Sequence, residues 1–430
     1  MTTLLNRKTQ PTIKPPKRID FPQPEIHQLK NGIKVHQFNA GAQDVISIEM
    51  VFKAGSWFQD KPFTAMATNL MLREGTRNFT ARELSESLDF FGAHLENTAE
   101  RDNAYVTLYS LNKHLDNTLP LLSEIVKNPV FPENDFNVLA GKQFQQLEVN
   151  RQKVNFLART HFNSFIFGKN HPYGMFLVPD DIGKVTNLDL AAFHKSQYHS
   201  GNCTIVVAGL IKPGLIDALE SHFGGNDWSG NPSVQLYSEL NGSDQKNHFI
   251  AKEGAMQSAI RMGCLAFGHS HPDFAGMKVL NAILGGYFGS RLMTNLREDK
   301  GYTYGIGSAL VPLLRGGYFV ISGEVGAEVT KQALAEIKSE LSRLCDEQVP
   351  ESELSLVRNY LLGEMLRSVD GPFAQAGLYR ELIEDNLDIS HFYKLIDTVQ
   401  QINAQQLQDL AIRYLKTEDL FTLVVGPHEV

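Results

Sequence analysis

Cysteine is scarce in this chain: Cys203, Cys264 and Cys345 are the three present in 430 residues. They lie far apart and form no C-x-x-C pair, which excludes a disulfide framework and leaves each as a small core hydrophobe. Long hydrophobic runs are lacking too. No run reaches the length of about 20 residues that a membrane-spanning helix needs. MTTLLNRKTQPTIKPPKRID has no long apolar stretch behind its basic residues, so neither a signal peptide nor an anchor is expected there. Positive charge is not in excess. A formal net charge of −8 excludes a general attraction to nucleic acid or to an anionic membrane surface. G-x-S-x-G, P-loop and dinucleotide fingerprints are missing; Gly285, Gly286 and Gly289 do not follow a strand, as those motifs require. So little cysteine suits a reducing compartment. A cytoplasmic protein is expected, with the periplasm as the alternative where a signal peptide has been removed.

What is present is a soluble, globular composition, 42% hydrophobic and 20% charged. The length suits two domains of about 200 residues better than one core. Residues 1–24 form a Pro/Lys arm that cannot bury itself and is expected to lie over another surface. From LKNGIKVHQF the pattern turns to strands, with a hairpin signal at Asn31-Gly32 and then the apolar strand VISIEMVFKAGS. Helices follow through MATNLML and from Thr80 through ARELSESLDFFG. Two strands are read around AHLENTAERDNAYVTLYSL. LDNTLPLLSEIVKNP and FPENDFNVLAGKQFQQLEV are helical, the second with Phe136, Leu139, Phe144 and Leu147 on one side. HPYG, a polar helix near Leu188–Tyr198 and the strand CTIVVAG close the half.

The second half repeats this plan. QSAIRMGCLAFG answers VISIEMVFKAGS, MKVLNAILGG answers MATNLMLREG, and VPESELSLVRNYLLGEML answers FPENDFNVLAGKQFQQLE. Val425 follows Val207 by 425 − 207 = 218, the same shift as 350 − 132 between Pro350 and Pro132. One offset shared by two separated motifs indicates duplication. The expected architecture is α+β: domains over 25–225 and 247–430, joined by a polar linker at 226–246 that serves as a hinge. Each is expected to be a mostly antiparallel sheet with helices packed on one face.

The stretch Gly285–Ser308, GGYFGSRLMTNLREDKGYTYGIGS, organises the second half. It reads as the end of an apolar helix, a glycine turn, a short helix ending at Arg297 and a turn into a strand opened by Tyr304. A guanidinium and a phenol converging on one spot would be donors for a carbonyl or oxyanion. From residue type alone, a helix-end arginine and a half-buried turn tyrosine are the plainer reading. Among histidines, His269-Ser270-His271-Pro272-Asp273 has chelating spacing but no evident third ligand. His194 and His199, five apart, share no helix face well. His94 and Glu96 supply two ligands on one strand face, a weak signal. None is expected to bind metal.

SRLMTNLREDKGYTYGIGS resembles the C-terminal half of the M16 (pitrilysin-type) zinc peptidases, the group that includes the mitochondrial processing peptidases, and the resemblance runs from about Asn31 to the end. It implies two α+β halves, with Arg297 and Tyr304 at the positions that help hold substrate at a zinc centre in the other half. A catalytic M16 half carries H-x-x-E-H on its first helix, ahead of a Gly-Thr, and a further glutamate ligand. His171 in NHPYG also matches the family, where it is not a zinc ligand; it is expected to fix a loop. Counting back from Gly75-Thr76, the H-x-x-E-H positions hold Met66, Asn69 and Leu70, and the distal ligand falls around Leu147, with Glu148 beside it. These residues cannot replace imidazoles and a carboxylate as ligands or proton carriers. No cofactor is therefore expected in this chain.

The resemblance implies a non-catalytic subunit, whose zinc sits in a partner bearing H-x-x-E-H and whose substrate is a peptide or unfolded segment. Two further readings stand beside it. One is an inactive structural or peptide-binding module of the respiratory core-protein kind. The other is a self-sufficient metallopeptidase with relocated ligands. No nucleic-acid partner and no membrane span are expected.

Overall fold

The computed structural model describes residues 19–233 and 238–429. Its strands are β1 (Glu25–Gln28), β2 (Lys34–Asn39), β3 (Val45–Phe52), β4 (His94–Ala99), β5 (Ala104–Leu111) and β6 (Cys203–Gly209) in the first half. The second half holds β7 (Asn247–Ala251), β8 (Gln257–Ala266), β9 (Thr303–Leu313), β10 (Gly316–Gly326) and β11 (Phe421–Gly426). They build two sheets, ordered β1-β2-β6-β3-β5-β4 and β7-β11-β8-β10-β9. Each is mostly antiparallel, with one parallel pair: β2 with β6, and β11 with β7. The duplication is visible in three dimensions. The helices Glu133–Asn150 and Glu351–Arg367 begin 218 residues apart, 351 − 133.

Period-two alternation assigns each strand face to its neighbours. Ile46, Ile48, Met50 and Phe52 of β3 and Ile205 and Val207 of β6 pack on helices of their own half, among them Thr64–Met71, Leu115–Lys127 and Leu215–Phe223. The intervening Val206 and Ala208 join the other half's core, with Tyr379 and Leu382 of the helix Pro372–Glu384. In the second sheet Ile260, Met262, Phe319 and Ile321 meet their own helices, while Ala259, Tyr318, Val320, Leu423 and Val425 meet Ala158, Phe162 and Ile166 of the helix Val154–Phe167. Helices thus cover one face of each sheet, as expected, and one helix from the opposite half covers the other. Those two exchanged helices also start 372 − 154 = 218 residues apart. The exchange is reciprocal and obeys the repeat.

The arm ends in this seam. Ile19 and Phe21 are buried, Phe21 sits between the Phe38 and Phe392 rings with centroids 6.2 and 5.5 Å away, and its backbone N–H donates to Tyr393 Oη at 3.1 Å. Residues 1–18 lie outside the described residues. Of the linker, both described ends are tied to the first half. Ser233 N–H donates to Asn202 Oδ1 at 2.7 Å, and Asn241 and Ser243 N–H donate to Phe167 and Phe165 carbonyls at 3.2 and 2.7 Å. Gly168, at φ +101°, makes this approach feasible: a Cβ there would lie 2.5 Å from the Asn241 carbonyl oxygen. His171 closes the same corner, accepting from Tyr173 N–H at 3.1 Å.

Two local expectations change. The short helix after the glycine turn does not stop at Arg297 but runs over Met293–Asp299, wound wide enough that Lys300 N–H reaches the Asn295 carbonyl at 3.1 Å. Phe144 does not share the buried side of its helix; Phe136 and Leu147 are buried, whereas Phe144 is 44% exposed. An i, i+8 relation drifts off a narrow helical stripe when only one end meets the core.

Because the exchanged helices are core to both halves, the protein should unfold in one cooperative transition. Phe162→Ala, at a fully buried position, should cost about 3–5 kcal/mol and lower the urea midpoint without splitting the transition. Two separate transitions in the parent protein would contradict this packing.

Candidate functional site

The first helix, Thr64–Met71, presents Met66 to a cavity of about 650 Å³ between the halves. Asn69 does not face that space. It is fully buried, and its amide donates to the Tyr105 carbonyl and Tyr198 Oη, both at 3.2 Å. Its own carbonyl accepts from Asn97 Nδ2 at 2.9 Å. Asn69 therefore ties the helix to β4 and β5. Leu70 is half-buried, and Leu147 is buried among apolar neighbours. Glu148 turns outward and pairs with Arg151 at 3.2 Å. A thioether, a core amide and two leucines do not fit a zinc ion.

The histidines noted in the sequence are each engaged elsewhere. His194 Nε2 meets the Val126 carbonyl at 2.8 Å, and burial pulls its pKa down to about 4. His199 Nε2 meets the Ser196 carbonyl at 3.1 Å. His269 Nδ1 pairs with Asp385, while His271 stacks on Phe267 at 3.8 Å and accepts from Asp273 N–H. Exposed His94 lies 3.4 Å from Glu96. Among the described residues no group of three or more His, Cys, Asp or Glu could hold a metal ion. Burial raises the pKa of all three thiols, Cys264 to about 11. Cys203 is buried in the first half's core, and Cys264 and Cys345 pack half-buried against that of the second.

Arg297 and Tyr304 lie at the β9 edge of the second sheet. Arg297 is half-buried on its wide helix, its guanidinium carbon 4.5 Å from the Phe288 ring centroid. Tyr304 stands at the start of the edge strand β9 and is 92% exposed. Thr303 Oγ1 pins the strand beside it, donating to the Glu324 carbonyl at 2.6 Å and accepting from Gly305 N–H at 3.0 Å. Among the described residues no hydrogen bond or ring contact joins Arg297 to Tyr304.

What sequence reasoning missed is the charged seam around the central cavity. Asp102 pairs with Arg315 of the other half and accepts from Tyr173 Oη at 2.8 Å, and Arg315 lies 4.1 Å from the Trp57 ring centroid. Burial pushes the Asp102 carboxyl up against the pull of Tyr173 and Arg315. Nearby, Arg380 donates to Glu49 at 2.9 Å and Tyr105 Oη donates to Glu384 at 3.2 Å. Glu384, buried between these groups, has its pKa raised to about 7, burial outweighing the attraction of Arg380. No local sequence signal marks these residues, because partners such as Glu49 and Arg380 are 331 positions apart.

Glu384 gives the stability a pH dependence of known sign. Its folded-state pKa lies above the ordinary 4.5, so the folded protein holds a proton that the unfolded chain releases. The contribution is complete below about pH 4.5 and is lost as pH rises through about 7, amounting to up to about 3 kcal/mol. Glu384→Gln should flatten that portion of a stability–pH profile measured by urea denaturation. An unaltered slope would place the titration elsewhere.

Comparison with known proteins agrees with this geometry. The family model described as "Insulinase (Peptidase family M16)" matches residues 35–170, and "Peptidase M16 inactive domain" matches residues 184–361. An uncharacterized zinc protease, YmxG, of Bacillus subtilis is 22% identical over 93% of this chain and 98% of its own length. The human mitochondrial-processing peptidase subunit beta is 21% identical over 95% of this chain and 86% of its own. The crystal structure of a peptidase M16 inactive domain from Pseudomonas fluorescens superposes with a TM-score of 0.86 at 23% identity, covering 95% of this chain and 99% of that one. With both halves matched by the family's models on the fold described above, the chain belongs to peptidase family M16.

Proposed function

We propose that the chain is the non-catalytic subunit of a two-subunit M16 peptidase acting on peptides or unfolded segments, in the cytoplasm. The observation that carries this is the contrast between the halves. The position of the catalytic glutamate holds Asn69, fully buried and hydrogen-bonded into the core, whereas Tyr304 stands 92% exposed on an open strand edge. A zinc-bearing partner with H-x-x-E-H would activate water and polarise the scissile carbonyl. This chain would contribute the Tyr304 hydroxyl and the Arg297 guanidinium as donors to peptide carbonyls, and the edge of β9 as a place for an added strand. A second reading, an inactive peptide-holding module, draws on the ion pairs Asp102–Arg315 and Glu49–Arg380, which fasten the halves together across the cavity.

Two measurements test the proposal. The isolated chain, purified without chelator, should carry no stoichiometric zinc and cleave no peptide; near-stoichiometric zinc with activity would refute both readings. In a complex reconstituted with an H-x-x-E-H partner, Arg297→Ala and Tyr304→Phe should each lower turnover without weakening subunit association. Loss of one oxyanion-type donor costs about 2.7–4 kcal/mol, roughly a hundred- to thousandfold. If Arg297 instead holds the substrate backbone equally in ground and transition states, KM rises with kcat little changed. Unchanged kinetics in both variants would remove them from the active site.

The Met66→His, Asn69→Glu, Leu70→His variant should remain a poor enzyme. A carboxylate at position 69 would face the Tyr105 carbonyl where an amide now donates, and loss of a buried hydrogen-bonded group of this kind costs about 1–3 kcal/mol. Thermal unfolding and a zinc-dependent peptidase assay of that variant check both halves of the statement.

A further inference from the structure

Arg261 is the only charged residue in β8, set between Ile260 and Met262. Those two neighbours face the helices of their own half, so alternation directs Arg261 to the other face, the one that carries Ala259 and is overlaid by the helix Val154–Phe167. It is 9% exposed. Among the described residues, no hydrogen-bond acceptor and no carboxylate meets its guanidinium. The titratable groups beside it are the Tyr318 phenol and another cation, Arg159, and burial lowers the Arg261 pKa.

The side chain does have an outlet. Arg261 lines a cavity of about 370 Å³ together with Asn155, Gln257, Ser322, Glu324 and Tyr304. The space opens where β9 and β10 slip register between Gly323 and Val325. Glu324, on another wall, is engaged by Asn155 Nδ2 at 2.9 Å and makes no ion pair with Arg261. Gln257 and Ser322 make no side-chain hydrogen bond among the described residues. A guanidinium keeps its charge in a protein and offers five donors in a planar fork. A desolvated cation without an anion is costly, and a carboxylate is the group whose two oxygens match that fork.

We propose that this cavity is a carboxylate-binding subsite for the peptide, with Arg261 as its floor. A peptide lying along the open edge of β9 places an acidic side chain or a C-terminal carboxylate into it. Arg261 binds both oxygens, Gln257 and Ser322 add donors, and the Tyr304 ring covers the mouth. The assignment rests on the peptide-holding part of the proposed function and not on a zinc-bearing partner.

The test uses the isolated full chain and four probes in calorimetric titrations: N-acetylglutamate α-amide, N-acetylalanine, N-acetylglutamine α-amide and inorganic phosphate. The first two carry a side-chain and a terminal carboxylate, and the tighter of them names the source. Either should bind at least tenfold more tightly than the neutral glutamine probe. Arg261→Gln should lose that preference, and Arg261→Lys, which keeps the charge but not the fork, should weaken it several-fold. Glu324→Gln should tighten binding. The proposal is overturned if wild-type protein does not distinguish glutamate from glutamine, if folded Arg261→Gln binds as wild type does, or if phosphate competes as well as either carboxylate. It is also overturned if only Glu324→Gln binds, because Glu324 is then the counterion. The probes need no partner and no turnover, so this result and the kinetic test of Arg297 and Tyr304 can fail independently.

Discussion

Everything in this molecule depends on the exchange of one helix between the halves. A sheet with its own helices on one face leaves an apolar second face. Here Val206 and Ala208 on one sheet, and Ala259, Val320, Leu423 and Val425 on the other, are such faces. Each half covers the other's, so neither sheet is finished until both are folded. The same exchange explains why the inner strands are apolar nearly throughout rather than alternating. It also brings Glu49 and Arg380, or Asp102 and Arg315, into pairs that no local rule would join. These pairs sit where water is largely excluded, so removing one member leaves the other as an uncompensated charge.

The two halves differ in what they bury and what they expose. In the first half, the helix that family catalysts use for metal has been absorbed into the core. Asn69 spends its donors on Tyr105 and Tyr198, which holds the helix against the sheet. That arrangement is incompatible with a free carboxylate, since the same space cannot both satisfy the Tyr105 carbonyl and expel a charge. In the second half the edge of β9 stays open. Tyr304 is held outward by a pinned strand start, and the register slip beside it leaves room above Arg261. In the proposed function, one half supplies closure and the other supplies donors.

Much of the fold was legible because it rests on short-range pattern. Short apolar runs in CTIVVAG and LFTLVVG marked β6 and β11, and the common offset of 218 paired them. The helix read from Thr80 begins there, its start fixed by a capping box with Glu83. The family positions Met66, Asn69 and Leu70 were legible too, because a ligand's chemistry is a property of residue type. Phe144 was misplaced because a stripe in sequence does not say how far the neighbouring core extends.

The sequence by itself determined most of the strands, though not β7 or β10, together with the repeat, the family and the residue types at the first helix's ligand positions. Those follow from side-chain type and spacing along the chain. Only the tertiary structure decided which face of each strand meets which half, that burial raises the Glu384 pKa to about 7, and that Arg261 is buried without an anion among the described residues. Each of these is set by what surrounds a group in space. Desolvation and the distance to a partner charge are sums over atoms contributed from remote parts of the chain, and a linear sequence does not carry them.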